Sequence, residues 1–254
     1  MKHLFSPEGD AALAVLMARA PLLAFDFDGT LAPIVSRPDE ARVSLAVARR
    51  LDRLGRLLPV AIITGRAVQD VRERLGFDPR YIVGSHGAED PATALPDAHA
   101  SMFDGIRARL REHMDVLKVA GVSVEDKRNS IALHYRLARD RNRALDVIRS
   151  LIERLEPGLK AFGGKLVLNV VAAEAPDKAH AVANLVQRSS ASHALFVGDD
   201  VNDEPVFARP EPNWLTVRVG RDDPASRAMF YLDSSAEVAT MLDRMLKALN
   251  QPAN

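Results

Sequence analysis

A chain of 254 residues with 34 Lys and Arg against 34 Asp and Glu carries no formal net charge, so it lacks the global basic field that draws nucleic acid or an anionic membrane surface, and any anion site must be local. It contains no cysteine, which excludes disulfides, thiolate catalysis and a Cys-ligated zinc site. The N-terminus has no basic segment leading into a long apolar core, and the apolar run from Ala11 to Ala18 is cut by Arg19, far short of a membrane span; the expectation is a cytoplasmic protein of one large or two smaller domains.

Ser6-Pro7-Glu8 reads as a helix start with Ser6 as N-cap and Pro7 in the first turn, ahead of an Ala/Leu-rich segment that stops near Pro21. Leu22 to Phe27 then reads as a buried strand. Val47, Leu51, Leu54 and Leu58 recur at helical spacing, Pro59 ends that helix, and Val60 to Ile63 is a second buried strand. Val68, Val71 and Leu75 mark the next helix, closed by Gly76, before a strand at Tyr81 to Gly84. This alternation predicts βαβ units and a parallel sheet.

The rhythm changes after about Glu89. Asp90 to Asp97 is rich in Pro and small residues, a hinge composition, and Phe103, Ile106, Leu110, Met114 and Leu117 predict one long amphipathic helix. Strands follow around Val122–Glu125 and Ile131–Tyr135, with the polar stretch Asp126 to Asn129 as their turn. Leu145, Ile148, Ile152 and Leu155 mark another helix, and Gly163-Gly164 between Leu159–Phe162 and Lys165–Val171 is a hairpin signal. The βα rhythm resumes with a helix from Asp177, a strand at Ala194–Val197, a short helix near Glu204–Ala208, a strand at Leu215–Val219 and a last helix over about 236–249. The fold expected is α/β, a parallel-sheet core at 1–95 and 174–254 interrupted by an α+β insert at 96–173 of αββαββ order.

The chemistry concentrates at predicted strand ends, where open α/β sheets hold ligands. Asp26 and Asp28, spaced i, i+2, close an apolar run and meet Gly29-Thr30. One carboxylate can act as a nucleophile toward phosphorus, and a second can protonate the leaving oxygen and then activate water. Two carboxylates beside a phosphate need a cation, and Mg²⁺ suits an all-oxygen site; Asp199 is the further ligand expected. Thr64-Gly65-Arg66 at the next strand end offers a hydroxyl and N–H groups to a phosphate oxygen. Lys178 at a helix start opposes the helix dipole, which favours its answering an anion. Asp199, Asp200, Asp203 and Glu204 flank Asn202 in a cluster costly without a cation.

These four motifs, in order, resemble the haloacid dehalogenase (HAD) superfamily of phosphatases, with a Rossmann-like core. The insert between the second and third motifs resembles the C2B cap of subclass IIB. Gly84-Ser85-His86-Gly87-Ala88-Glu89, Val124-Glu125-Asp126-Lys127, Leu133-His134-Tyr135-Arg136, Gly198-Asp199-Asp200 and Val217-Arg218-Val219-Gly220 look like the trehalose-6-phosphate phosphatase family. The resemblance implies that Asp26 attacks phosphorus and that Asp28 serves as acid and then base. It implies Mg²⁺ held by the Asp26 carboxylate, the Asp28 main-chain carbonyl and Asp199, with Asp203 supporting them from behind. Thr64 and Lys178 would bind phosphoryl oxygens, and Gly65, Arg66 and Asn202 would position them. Glu125, Lys127, His134 and Arg136 would meet sugar hydroxyls in a cleft between core and cap, with His86 contributing from the core.

Two departures from the family pattern stand out. After Gly164-Lys165 the family usually continues with a glutamate, and here the stretch is Leu166-Val167-Leu168-Asn169; if Asn169 takes the glutamate's place, a charged sugar contact becomes neutral. The third motif, usually Lys-Gly, is Lys178-Ala179. The leading expectation is a Mg²⁺-dependent trehalose-6-phosphate phosphatase, with a functional link to a trehalose-6-phosphate synthase left open. Competing readings are a phosphatase for another sugar phosphate, such as sucrose 6-phosphate or glucosylglycerol phosphate, a non-hydrolytic sugar-phosphate binder, and a phosphotransferase or mutase using the same intermediate.

Overall fold

A computed structural model describes residues 1–35, 37–93, 97–127, 129–209 and 211–250, with backbone alone at 97–99. In chain order its first half runs β1 (Lys2–His3), α1 (Pro7–Met17), β2 (Leu22–Phe25), α2 (Leu45–Gly55), β3 (Val60–Ile63), α3 (Val68–Leu75) and β4 (Tyr81–Val83). Next come α4 (Asp104–Glu112), α5 (Met114–Ala120), β5 (Ser123–Asp126), β6 (Ser130–His134), α6 (Arg141–Ile152), β7 (Leu159–Gly164) and β8 (Val167–Ala172). The chain closes with α7 (Lys178–Ser189), β9 (Ala194–Gly198), α8 (Glu204–Phe207), β10 (Trp214–Val219), β11 (Phe230–Leu232) and α9 (Val238–Leu249). Two compact units divide this chain, 1–91 with 176–254, and 92–175. The core boundary expected at 95 falls outside the described residues. None of the described helices is long and apolar enough to cross a membrane.

The first unit holds a parallel sheet of order β1-β11-β10-β9-β2-β3-β4. Its central strands are buried on both faces, which is why they read as continuous apolar runs. Alternation divides them: Leu23, Phe25, Ile62 and Val197 enter the apolar layer that also holds Val47, Leu51 and Met241. Leu22, Ala24, Ala61 and Phe196 face the layer that holds Val182 and Leu185 of α7. Ser6, Ser44 and Asp177 cap α1, α2 and α7 by accepting from backbone N–H groups. Strand order reverses around β2 and β9, so the crevice at their carboxyl ends is a topological switch point.

The second unit is a four-stranded antiparallel sheet of order β5-β6-β8-β7, with Ile131, Leu133, Leu168 and Val170 packed in one apolar cluster with Ile106 and Leu110 of α4 and Ala144 and Ile148 of α6.

Several expectations are corrected. The short strands β1 and β11 carry too little pattern to be anticipated. The long helix expected through Leu117 breaks at His113, where ψ is 18°, and continues as α5. Gly163 and Gly164 lie within β7, opposite Leu168 and Val167, so the turn is Lys165-Leu166, with Leu166 at φ 59°. The first motif strand ends at Phe25 and not at Phe27. Asp126 belongs to β5 rather than to the following turn, and Arg128 of that turn lies outside the described residues, as do residues 94–96 of the expected hinge.

Candidate active site

Asp26 follows β2 and continues the parity of Leu22 and Ala24, on the side of α7; its N–H donates to the Val197 carbonyl, 2.8 Å, which sets it beside the end of β9. α7 begins with Lys178, whose ammonium lies 2.9 Å from Asp26 Oδ1 and 2.7 Å from Asp203 Oδ1. Lys178 is 1% exposed and Asp203 0%. Burial works against the ammonium, yet the Asp203 and Asp26 carboxylates hold its pKa well above the ordinary lysine value. Burial, opposed by Lys178 and reinforced by Asp203 and Asp199, pushes the Asp26 carboxyl well above its usual range.

Asp203 is the anchor of this cluster. Its Oδ2 accepts from the N–H groups of Asp199 and Asp200, 2.8 and 2.9 Å, while its Oδ1 holds Lys178. Asp199 is thereby brought to Asp26 and Asp203, and one carboxylate oxygen from each lies within 4.8 Å of the others. These three buried acidic side chains gather oxygen donors alone beside the Lys178 ammonium, a donor set that fits a hard divalent cation. Gly29 stands at φ 82°, and a Cβ there would overlap the Asp199 carboxylate. The glycine thus answers both a left-handed turn and a close approach.

Asp28 has a partner of its own. Its carboxylate is half-buried and accepts from Arg66 Nε and Nη2 at 2.7 and 2.8 Å in a bidentate pair. Arg66 also donates through Nη1 to Asp70 Oδ2 and through Nη2 to the Pro38 carbonyl, both 2.8 Å. Arg66 therefore grips Asp28 rather than presenting an unoccupied fork to phosphate. Two N–H groups that the second motif was expected to offer to phosphate are already engaged: Thr64 N–H donates to the Val83 carbonyl, 2.9 Å, and Arg66 N–H to Thr64 Oγ1, 3.2 Å. Thr64 itself is buried at the end of β3.

Ser85 and His86 both adopt left-handed backbone, at φ 49° and 59°, a costly conformation without glycine. It is held by Ser85 N–H to the Arg66 carbonyl and His86 N–H to the Thr64 carbonyl, each 2.9 Å. The His86 imidazole thereby lies against Gly65, where a Cβ would strike it. Glu89 Oε2 accepts from Val68 N–H at the start of α3, 3.0 Å, a contact between residues 21 apart that no local pattern in the sequence marks. Asn202 donates to Asp200 Oδ2, 3.0 Å.

In the second unit, Ala132 is opposite both Glu125 and Asn169, and His134 is two residues further on. Alternation therefore puts Glu125, His134 and Asn169 on the sheet face opposite Ile131 and Leu133. Glu125 Oε2 lies 2.9 Å from His134 Nε2 and 3.5 Å from Lys127 Nζ. Burial raises the Glu125 pKa, but the His134 hydrogen bond and the Lys127 charge carry it below its ordinary value. Asn169 is buried with its Nδ2 unpaired among the described residues. Arg136 lies in the turn after β6.

Comparison with known proteins bears on the family and the fold. A family profile described as trehalose-phosphatase matches residues 24–235. The trehalose-phosphate phosphatase of Mycobacterium marinum is 33% identical over 247 residues, covering 91% of this chain and 62% of the relative; the chain thus spans about three-fifths of such a protein. The C-terminal domain of the Candida albicans trehalose-6-phosphate phosphatase superposes with a TM-score of 0.80 at 22% identity, covering 94% of this chain and 96% of that one. A haloacid dehalogenase-like hydrolase from Bacteroides thetaiotaomicron gives 0.61 at 15% identity over 89% and 99% of the two chains. The chain has the haloacid dehalogenase-like fold and belongs to the trehalose-phosphatase family.

Proposed function

We propose that the chain hydrolyses trehalose 6-phosphate to trehalose and phosphate, with Mg²⁺ as cofactor and an aspartyl-phosphate on Asp26 as intermediate. The observation that carries this reading is the buried constellation of Asp26, Lys178, Asp203 and Asp199 at the carboxyl ends of β2 and β9. Lys178 occupies Asp26 Oδ1, and the other carboxylate oxygen attacks phosphorus while the bond to the sugar oxygen breaks. Asp28 gives that oxygen its proton. Asp28 then takes a proton from the water that attacks phosphorus, the bond to Asp26 breaks, and phosphate leaves with Asp26 restored. The Lys178 ammonium and the Thr64 hydroxyl stabilise the equatorial phosphoryl oxygens.

Asp26, Asp199 and the Asp28 carbonyl would hold Mg²⁺, which supplies the positive charge that lets a carboxylate approach a phosphate dianion. Asp203 keeps Asp199 and Lys178 in place. The Glu125, Lys127 and His134 face of the insert offers an acceptor and donors to sugar hydroxyls, with Arg136 beside it. A cytoplasmic location and supply of substrate by a trehalose-6-phosphate synthase accord with this activity.

One observation favours a second substrate. Asn169 presents a buried neutral amide whose Nδ2 is unpaired among the described residues, a donor where the family's usual glutamate would accept, which suits a sugar phosphate that offers an acceptor at that point. The test is kcat/KM with Mg²⁺ over trehalose 6-phosphate, sucrose 6-phosphate, glucose 6-phosphate and glucosylglycerol phosphate. A preference for trehalose 6-phosphate supports the reading, and efficient turnover of another member reassigns the sugar while leaving the core chemistry in place.

A further inference from the structure

The Arg66 fork does not act alone. Asp70, which receives Arg66 Nη1 through Oδ2, also accepts from Arg74 Nε at 3.0 Å and from Arg74 Nη2 through Oδ1. Charges therefore alternate along one line, Arg74, Asp70, Arg66, Asp28. The helical part of that line comes from i, i+4 spacing; the last link spans 38 residues and depends on β3 lying beside β2. Both arginines are nearly buried, with side-chain exposures of 11% and 10%. Each also donates to the turn before α2, Arg66 to the Pro38 carbonyl and Arg74 to the Asp39 carbonyl. The Arg66 guanidinium sits 5.1 Å over the Phe27 ring, which fixes the plane of the fork.

We propose that Asp70 and Arg74 are positioning residues for Asp28, acting through Arg66. Arg66 carries five N–H donors, and four of its contacts are assigned: two to Asp28, one to Asp70 and one to Pro38. Without Asp70 a long arginine side chain would hold Asp28 in several geometries, and its full charge would fall on Asp28 alone. With Asp70 sharing that charge and Arg74 pinning Asp70 from behind, the Asp28 carboxylate has one orientation from which to meet a leaving oxygen. A displacement of about 1 Å at such a group is costly to rate. The inference rests on the reading of Asp28 as acid and base.

The experiment exploits the leaving group. A sugar alkoxide needs a proton as it departs, and p-nitrophenolate does not, so loss of a well-aimed acid slows the first step for the sugar phosphate selectively. Single-turnover product release and steady-state kcat and KM are measured with trehalose 6-phosphate and p-nitrophenyl phosphate for wild type, D28N, D70N and R74Q. D28N is expected to lose roughly 10²- to 10⁴-fold on the sugar phosphate, with a far smaller loss in p-nitrophenol release. D70N and R74Q are expected to lose about tenfold in the single-turnover rate of sugar release, the scale of one charged hydrogen bond, with single-turnover p-nitrophenol release nearly intact; the later hydrolysis of the aspartyl-phosphate, which also uses Asp28, is common to both substrates and falls outside this comparison. A merely structural loss would lower both substrates together. Equal losses in the single-turnover rates of both substrates, or no loss, in both D70N and R74Q while D28N discriminates would overturn the ladder alone. A D28N enzyme that does not discriminate overturns the acid–base reading and the ladder with it.

Discussion

Lys178 Nζ lies 2.9 Å from Asp26 Oδ1, and both side chains are withdrawn from water. The pair is held on its far side by Asp203, so the lysine cannot be removed without leaving two buried carboxylates facing each other. Lys178→Met is therefore expected to abolish phosphate release and to destabilise the core by about 3–5 kcal/mol, the range for breaking a buried ion pair. Chemical denaturation alongside the assay checks both effects. Wild-type stability in that variant would contradict the role given to the pair.

Gly29 makes a separate prediction. Because its φ is 82° and a Cβ would overlap Asp199, Gly29→Ala must move the acidic loop. We expect at least a tenfold rise in the Mg²⁺ concentration needed for half-maximal activity, on the scale of a lost ligand contact. An unchanged Mg²⁺ dependence would place the ion elsewhere.

Asp70 sets a pH dependence. Burial works against its charge, yet hydrogen bonds from Arg74 and Arg66 pull its pKa from 3.8 to about 2. A depressed carboxylate contributes stability that is full above the unfolded value and is lost as pH falls through the folded one. The stability gap between wild type and D70N should thus shrink from pH 4 to pH 2. Its pH-dependent part is about 1 kcal/mol or less, since the Asp70 side chain is 38% exposed. Denaturant titrations across that window measure it, and a gap that widens on acidification would refute the assignment.

Leu166 occupies a turn at φ 59°, where a non-glycine side chain is strained. Leu166→Asn should raise the stability of the insert by about 0.5–1 kcal/mol, because asparagine tolerates the left-handed region. Thermal unfolding reads this directly, and a lower Tm would mean that packing of the leucine outweighs the strain.

Much of the core was legible in the sequence. Ala24-Phe25 and Val60 to Ile63 have no polar face to show, so only a parallel strand covered on both sides fits them, and the aspartates that follow mark the switch point. Less legible were features that depend on partners distant in sequence. β1 is two residues long and exists because it pairs with β11. His113 leaves the apolar spacing intact while breaking the helix. The Gly163-Gly164 dipeptide is a turn signal that cross-strand pairing with β8 overrides. In the site, the i, i+4 spacing of Arg66, Asp70 and Arg74 is visible in the chain, but the grip of Arg66 on Asp28 follows from the neighbouring placement of β2 and β3. Asp203 looked like a supporting carboxylate, and its three contacts appear only once Lys178 and the Asp199 loop are folded around it.

Nucleophilic attack by Asp26 is tested most directly by phosphate release from trehalose 6-phosphate by wild type and Asp26→Asn in parallel, with and without Mg²⁺, with circular dichroism to verify the fold. Wild type is expected to show Mg²⁺-dependent turnover and a folded Asp26→Asn enzyme none, because an amide has replaced the attacking carboxylate. Near-normal release by that variant would contradict nucleophilic attack by Asp26.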